Sequence, residues 1–323
     1  MILVRSPLRI TLGGGGTDLP AYYTKHGGMF FTAAIDKYVY VSVLKPFKKG
    51  IYVKHSGASE ECAQIADIQH PLIREALRMC MPPDWVPQIE ITTLADVPAG
   101  TGLGSSSACA CALIAALHTF FGTPGTSDAA LVADLACELE MDILGEPIGK
   151  QDAYASAFGG MRAFEIATDG TVFVKPGIDW RIQEKLEQRL QLYFTGYSRS
   201  ASAILKPLQT GMFRDNLDLI TVLGQEMLYA LQHGVLWDIG PIMTQQWRRK
   251  TERSPEASNG HIDGLYNRGM NAGARGGKLV GAGGGGFLLF YTTEPEQLRT
   301  AMAGQAEELP FRFEDEGTMV VCQ

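Results

Sequence analysis

The chain has 323 residues, 46% of them hydrophobic and 20% charged, with a net charge of −7. Such values belong to a globular protein of one large or two medium domains. The acidic balance excludes a general nucleic-acid binder, which needs a basic face to displace counterions, while a local basic pocket stays compatible with it.

In chain order, ILVRSPLRITL predicts a strand ending in the turn GGGG. MFFTAAI and YVYVSVL, β-branched and aromatic, are expected to form paired strands, and IYVKHS a further one. HPLIREALRMC has helical spacing and is broken by MPPDWVP. QIEITTLADVP alternates as a strand and runs into the loop AGTGLG. From Ser105 to Phe121 small and apolar residues continue without Gly or Pro, predicting a buried helix. Ser127 or Asp128 can cap the next helix, AALVADLACELEMDIL. GEPIGKQDAYASAFGG is loop-rich and turns helical at DAYASAF, and MRAFEI and TVFVKP predict a hairpin across ATDG. After Pro176 come a charged segment, a strand and a helix within WRIQEKLEQRLQLYFTGYSRSASAIL. Helices follow at roughly 214–232, 235–250 and 262–274. The chain closes on GGKLVGAGGGGFLLFYTT, a Glu-rich helix and FRFEDEGTMVV. Strands and helices interleave without regular βαβ alternation, so the expected class is α+β, with a soft domain boundary near 185.

No C-x-x-C or H-x-x-x-H spacing occurs, which argues against zinc motifs, and the six cysteines read as free thiols of a reducing compartment. MILVRSPLRI lacks the long apolar core of a signal peptide, and the apolar run near 108–121 is too short to span a bilayer. The expectation is a cytoplasmic protein with no membrane and no nucleic-acid partner.

Three glycine-rich stretches carry the chemistry. In PLRITLGGGGTDLPAYY, Thr17 and Asp18 follow the glycines and could bond a polyol; a turn with a structural Asp is the alternative. In DVPAGTGLGSSSA, a glycine loop feeds a helix N-terminus, a ready anion site, with Ser105, Ser106 and Ser107 adding hydroxyls for phosphate or Mg²⁺. One serine would suffice for a plain cap. There is no Walker A sequence, because Gly149-Lys150 is followed by Gln151 and Gly277-Lys278 by Leu279. KLVGAGGGGFLLFY satisfies G-x-G-x-x-G, but FLLFY predicts a strand where a dinucleotide site needs a helix. A glycine turn packed against a ligand or another loop is the better reading. Glu138 and Glu140, two residues apart on a helix, cannot share a face. Asp152 at a loop-to-helix junction is open to two roles, a catalytic carboxylate or an N-cap.

Together these stretches, in this order over about 280 residues, resemble the GHMP superfamily of galactokinase, homoserine kinase, mevalonate kinase and phosphomevalonate kinase. The first stretch lacks the Glu-His pair of galactokinases. This form is similar to the D-glycero-D-manno-heptose 7-phosphate kinase branch, as are GKQDAYASAFGG, YFTGYSRSASAIL and RSPEASNGHID; the kinase part of L-fucokinase shares much of the pattern. The resemblance implies an N-terminal ribosomal-protein-S5-domain-2-like, ATP-binding domain at 1–185 and a ferredoxin-like C-terminal domain at 186–323. It implies an ATP-dependent sugar kinase acting on the anomeric hydroxyl of the heptose 7-phosphate. ATP would lie on Pro98, Gly100, Gly102, Leu103, Gly104, Ser105, Ser106 and Ser107. Mg²⁺ would be held by Ser107 or Ser106 and by an acid, Glu140 being favoured over Glu138 by its distance from Asp152. Asp152 matches the catalytic Asp and Arg9 its basic neighbour. The sugar or sugar phosphate would meet Gly15, Gly16, Thr17, Asp18, Gln151, Arg199, Arg253 and Gly283. Lys150, Lys250 and Lys278 are further candidate cations for a substrate phosphate. A non-catalytic sugar-binding regulator on the same fold and a dinucleotide oxidoreductase are the competing classes, and a homodimer is one open assembly state.

Overall fold

The computed structural model describes residues 1–125, 128–198, 204–205 and 213–323. Two sheets organise the chain. The first runs β12 (Met319–Cys322), β1 (Ile2–Gly13), β2 (Gly28–Leu44), β5 (Gln88–Ala95), β3 (Gly50–His55) and β4 (Ala58–Cys62). From the other end of β2 it continues through β6 (Met161–Ile166) to β7 (Val172–Val174). The β3–β5 pair is parallel and the others are antiparallel. The second sheet is antiparallel, in the order β11 (Glu307–Glu308), β8 (Leu190–Phe194), β10 (Phe287–Thr292) and β9 (Ala274–Leu279).

MFFTAAI and YVYVSVL are not a pair but one strand, β2. Between them Asp36 and Lys37 bulge out, where the register with β1 jumps from Pro7↔Tyr38 to Leu8↔Ile35. β1 partners both halves, so no hairpin turn is needed, and the bulge is held by Asp36 N–H donating to the Arg312 carbonyl and Arg312 N–H to the Asp36 carboxylate.

β1 and β2 each contribute side chains to two cores. Val4, Phe30 and Val41 face α2 (Pro71–Cys80), α3 (Ser105–Phe121), α4 (Ala129–Cys137) and α5 (Gln151–Phe158). Leu8, Ile10 and Phe31 face α7 (Arg214–Gln232), α8 (Ile239–Arg253) and Leu289 and Tyr291 of β10. The reverse face of the second sheet buries Leu288 and Phe290 with α9 (Gly260–Asn271) and α10 (Pro295–Met302). The remaining helices are α1 (Pro20–His26) and α6 (Trp180–Glu187). The charged segment expected after Pro176 is α6, capped by Asp179 and anchored by buried Leu186; residue 185 falls inside it. The final strand, β12, returns from the far end of the chain to pair with β1. All six cysteines are free. Among the described residues no helix is long and apolar enough to cross a membrane.

Candidate active site

The helix predicted over Ser105–Phe121 forms with those bounds. Its N-cap is Gly104 in a left-handed conformation (φ 79°), which has no side chain to cap it. The plain serine cap is therefore excluded, and a helix end of this kind suits an anion. Ser106 and Ser107 instead donate to the two oxygens of Glu140, both at 2.5 Å. Glu140 reaches them because the chain after α4 widens into a π-helical turn at Glu138–Ile143, which turns Glu140 inward and leaves Glu138 exposed. Burial pushes the Glu140 carboxyl up to about 7, against the two serine hydroxyls and with help from Asp152 and Glu146.

Asp152 lies in the first turn of α5, whose N-cap is Lys150, so it is not a cap. Its carboxylate takes a bidentate ion pair from Arg9, Nε to Oδ1 at 2.8 Å and Nη2 to Oδ2 at 2.7 Å. Arg9 is 2% exposed, and its Nη1 donates to the Gly102 carbonyl at 2.6 Å, tying the glycine loop to the pair. Gln151 Nε2 donates to Thr11 Oγ1 at 2.7 Å and to Asp152 Oδ1 at 3.1 Å, while its buried Oε1 has no partner among the described residues. Asp18 accepts from the N–H groups of Gly16 and Gln151. Burial raises its pKa, opposed by the Gln151 amide and reinforced by the Asp152 charge.

These groups line one cavity of about 360 Å³. Arg9, Gly15, Gly16, Asp18, Gly100, Gly102, Gly104, Ser105, Ser106, Ser107, Glu140, Gln151, Asp152 and Arg253 all face it, as do Lys250 and Lys278. Five expected residues do not. Thr17 is buried, donating to the carbonyls of Gly14 and Met29 and shaping the first glycine turn. Leu103 is buried beneath the loop, its carbonyl accepting Arg9 N–H, and Pro98 is exposed on the loop's outer side. Gly283 packs on Ala257, with no room for a Cβ (2.7 Å). Lys150 points elsewhere, its Nζ donating to the Gly170 carbonyl. Arg199 lies outside the described residues, as does Ser127; Asp128 caps α4.

The third glycine stretch is the turn between β9 and β10, not a dinucleotide loop. A Cβ on Gly281 would lie 2.6 Å from Gly102 Cα, and one on Gly286 2.1 Å from the Thr101 carbonyl. Its glycines let two backbones touch. Thr11, Gln246 and Ser254 also line the cavity and were not singled out. For the first two the signals were spacing: Thr11 lies two residues from Arg9 on a strand, and Gln246 four before Lys250 on a helix.

A helix N-terminus opening from a glycine loop, an acid joined to hydroxyls and a carboxylate–guanidinium pair lie around one cleft, an arrangement suited to a phosphotransferase. The chain belongs to the GHMP kinases: the N-terminal domain of that family matches residues 71–160 and the C-terminal domain 227–308. It is thus a phosphotransferase acting on a sugar, in a family that uses ATP as phosphate donor. It is 28% identical over 340 residues to D-glycero-alpha-D-manno-heptose 7-phosphate kinase of Campylobacter jejuni, covering 98% of this chain and 97% of that protein. It is 26% identical to L-fucokinase/L-fucose-1-P guanylyltransferase of Bacteroides fragilis, but spans only 34% of that longer protein. Among solved structures, a D-glycero-D-manno-heptose 1-phosphate kinase from Bacteroides thetaiotaomicron superposes with a TM-score of 0.83 at 26% identity, over 100% of this chain and 99% of that one.

Proposed function

We propose that the protein transfers the γ-phosphoryl group of ATP to the anomeric hydroxyl of D-glycero-D-manno-heptose 7-phosphate, giving the 1,7-bisphosphate and ADP. The observation that carries this reading is the Arg9–Asp152 pair facing the same cavity as the open N-terminus of α3. The triphosphate would lie on the N–H groups of Ser105, Ser106 and Ser107, where the helix end favours negative charge. Gly100, Gly102 and Gly104 admit the phosphates close to the backbone. Asp152 would orient the anomeric hydroxyl and accept its proton, and Arg9 would hold the carboxylate in place and offset charge developing at the reacting oxygens. Asp18 and Gln151 would bond the sugar; the unpartnered Gln151 Oε1 is an acceptor ready for a hydroxyl.

The donor set at Glu140 suits Mg²⁺. One buried carboxylate with two hydroxyls is what an ion keeping several waters and binding substrate phosphates requires. Glu140, with Ser107 or Ser106, would hold it, and bound there it would neutralise phosphate charge. In this reading residues 1–185 carry donor and base, residues 186–323 close the acceptor side, and the free thiols fit a cytoplasmic location.

The test is ADP release with heptose 7-phosphate, L-fucose, galactose and mevalonate, the product being located by phosphorus NMR. Turnover of heptose 7-phosphate to a 1-phosphoryl product is expected. Preference for fucose would assign the fucokinase-like alternative, and ATP binding without turnover of any sugar would assign a regulator.

A further inference from the structure

Three cations face the cavity with no carboxylate in ion-pair contact among the described residues, Asp18 acting on Arg253 only at longer range. Gln246, Lys250 and Arg253 fall at i, i+4 and i+7 of α8, on one face, and Lys278 reaches the same cavity from β9. Lys278 is 5% exposed and its Nζ donates to Gln246 Oε1 at 2.5 Å. Lys250 Nζ donates to the carbonyls of Leu279 at 2.8 Å and Gly281 at 2.6 Å. Arg253 Nη1 donates to Asn216 Oδ1 at 3.2 Å, and its buried Nε has no partner among the described residues. No ion pair joins Lys250, Arg253 or Lys278 to a carboxylate among those residues. Both oxygens of the nearby Asp18 are taken by backbone amides.

Buried cations held only by neutral acceptors are costly unless an anion joins them. The cost is visible in their acidity. Burial, with Arg9 adding, pulls Lys278 down to about 7, and Lys250 falls well below its ordinary value through burial, Lys278, Arg253 and Arg9. An arrangement of this kind is built for a doubly charged ligand group. The α3 N-terminus, on another element, already offers a place to the donor's phosphates.

We propose that Lys250, Arg253 and Lys278 seat the phosphate ester that the acceptor brings with it, the one not transferred, and that Gln246 positions Lys278 for that contact. This rests on the kinase reading in taking the acceptor to be a sugar phosphate. The seat makes the protein select a sugar already esterified away from the reacting hydroxyl. Phosphate dianion chemistry is shared with the γ-phosphoryl of ATP, and the experiment separates the two sources.

Inorganic phosphate is the probe, titrated calorimetrically into the full chain with and without Mg²⁺ and a non-hydrolysable ATP analogue. Phosphate is expected to bind in both conditions. Lys278→Met and Arg253→Met should each weaken it about tenfold or more, the scale of one lost charge-assisted contact, while analogue affinity changes less than threefold (~0.6 kcal/mol). Displacement of phosphate by the analogue, or loss of analogue binding in Lys278→Met matching the loss of phosphate binding, would assign the cations to the donor and overturn the proposal. Failure of the wild-type protein to bind phosphate would also overturn it. For Gln246→Met the expected signature is a raised KM for heptose 7-phosphate, an unchanged KM for unphosphorylated heptose and a nearly constant kcat; an equal rise for both sugars refutes the positioning role. Phosphate binding in a protein that phosphorylates no sugar would sink the kinase reading and leave the seat standing.

Discussion

Replacing Asp152 by Asn removes one charge and little volume, which makes it the sharpest probe of the site. The native carboxylate accepts two Arg9 N–H groups at 2.8 and 2.7 Å, and Gln151 Nε2 shares Oδ1 at 3.1 Å. An Asn keeps one acceptor and turns an NH₂ towards the other donors, so at least one hydrogen bond is lost and Arg9, 3% exposed at its side chain, loses its counter-charge. Breaking a fully buried pair costs about 3–5 kcal/mol. The Asp152 side chain is 30% exposed, so solvent screens part of this and about 1–3 kcal/mol is the appropriate scale. The kinetic loss has another origin. Without a base at the anomeric hydroxyl, kcat should fall about 10²–10⁴-fold, or ~3–5 kcal/mol of transition-state stabilisation. Urea unfolding measures the first quantity and steady-state turnover the second. The Arg9→Met/Asp152→Asn double variant closes the cycle: stability should partly recover, because no buried charge is left alone, while activity does not. A folded Asp152→Asn protein with kcat within threefold of wild type (~0.6 kcal/mol) refutes the base assignment. A double variant that regains turnover would reduce the pair to architecture.

Three other outcomes follow from named contacts. Gly102→Ala forces a Cβ to 2.7 Å from the Val280 carbonyl at φ +80°; the backbone alone costs about 1–2 kcal/mol, and the KM for ATP should rise, read by initial rates, without loss of the fold by circular dichroism. Thr318→Val deletes the hydroxyl that joins Ser6 at 2.8 Å on β1 to the Ser156 carbonyl at 3.1 Å on α5; thermal unfolding should show a loss of about 1–2 kcal/mol, restored by Thr318→Ser. The ligand-free protein should have a stability minimum near pH 7. Glu140, raised to about 7, binds its proton more tightly folded than unfolded, so stability falls as the pH rises from about 4.5 to 7. Lys278, lowered to about 7, binds its proton less tightly folded, so stability rises from about pH 7 to 10.5. Urea midpoints across pH should lose the acid limb in Glu140→Gln and shallow the alkaline limb in Lys278→Met. A profile flat through pH 7 in wild type would contradict both burials.

What could be seen in the sequence was what neighbouring residues decide. The start of α3 follows from AGTGLGSSS because left-handed glycines and a run of helix formers meet there. The hairpin of β9 and β10 follows from a glycine run between two apolar segments. What stayed hidden depended on partners far along the chain. Nothing near Asp152 separates a cap from a paired carboxylate in a cleft; the helix start at Lys150 and the ion pair with Arg9, 143 residues away, do. Asp36-Lys37 looks like a turn until β1 is known to run past both halves of β2. Lys278 lies in a Gly-Lys pair that resembles a failed phosphate loop or an exposed charge, and only the packing of β9 against α8 buries it beside Gln246. The glycine match in KLVGAGGGGF has the same explanation: at Gly281 and Gly286 the AGTGLG loop leaves only 2.6 and 2.1 Å where a Cβ would sit, and at Gly283 Ala257 does so. The two glycine runs are two sides of one contact that brings the loop before α3 and the cation face together. A substitution in either should therefore disturb ATP and acceptor binding jointly, although neither run touches every group it positions.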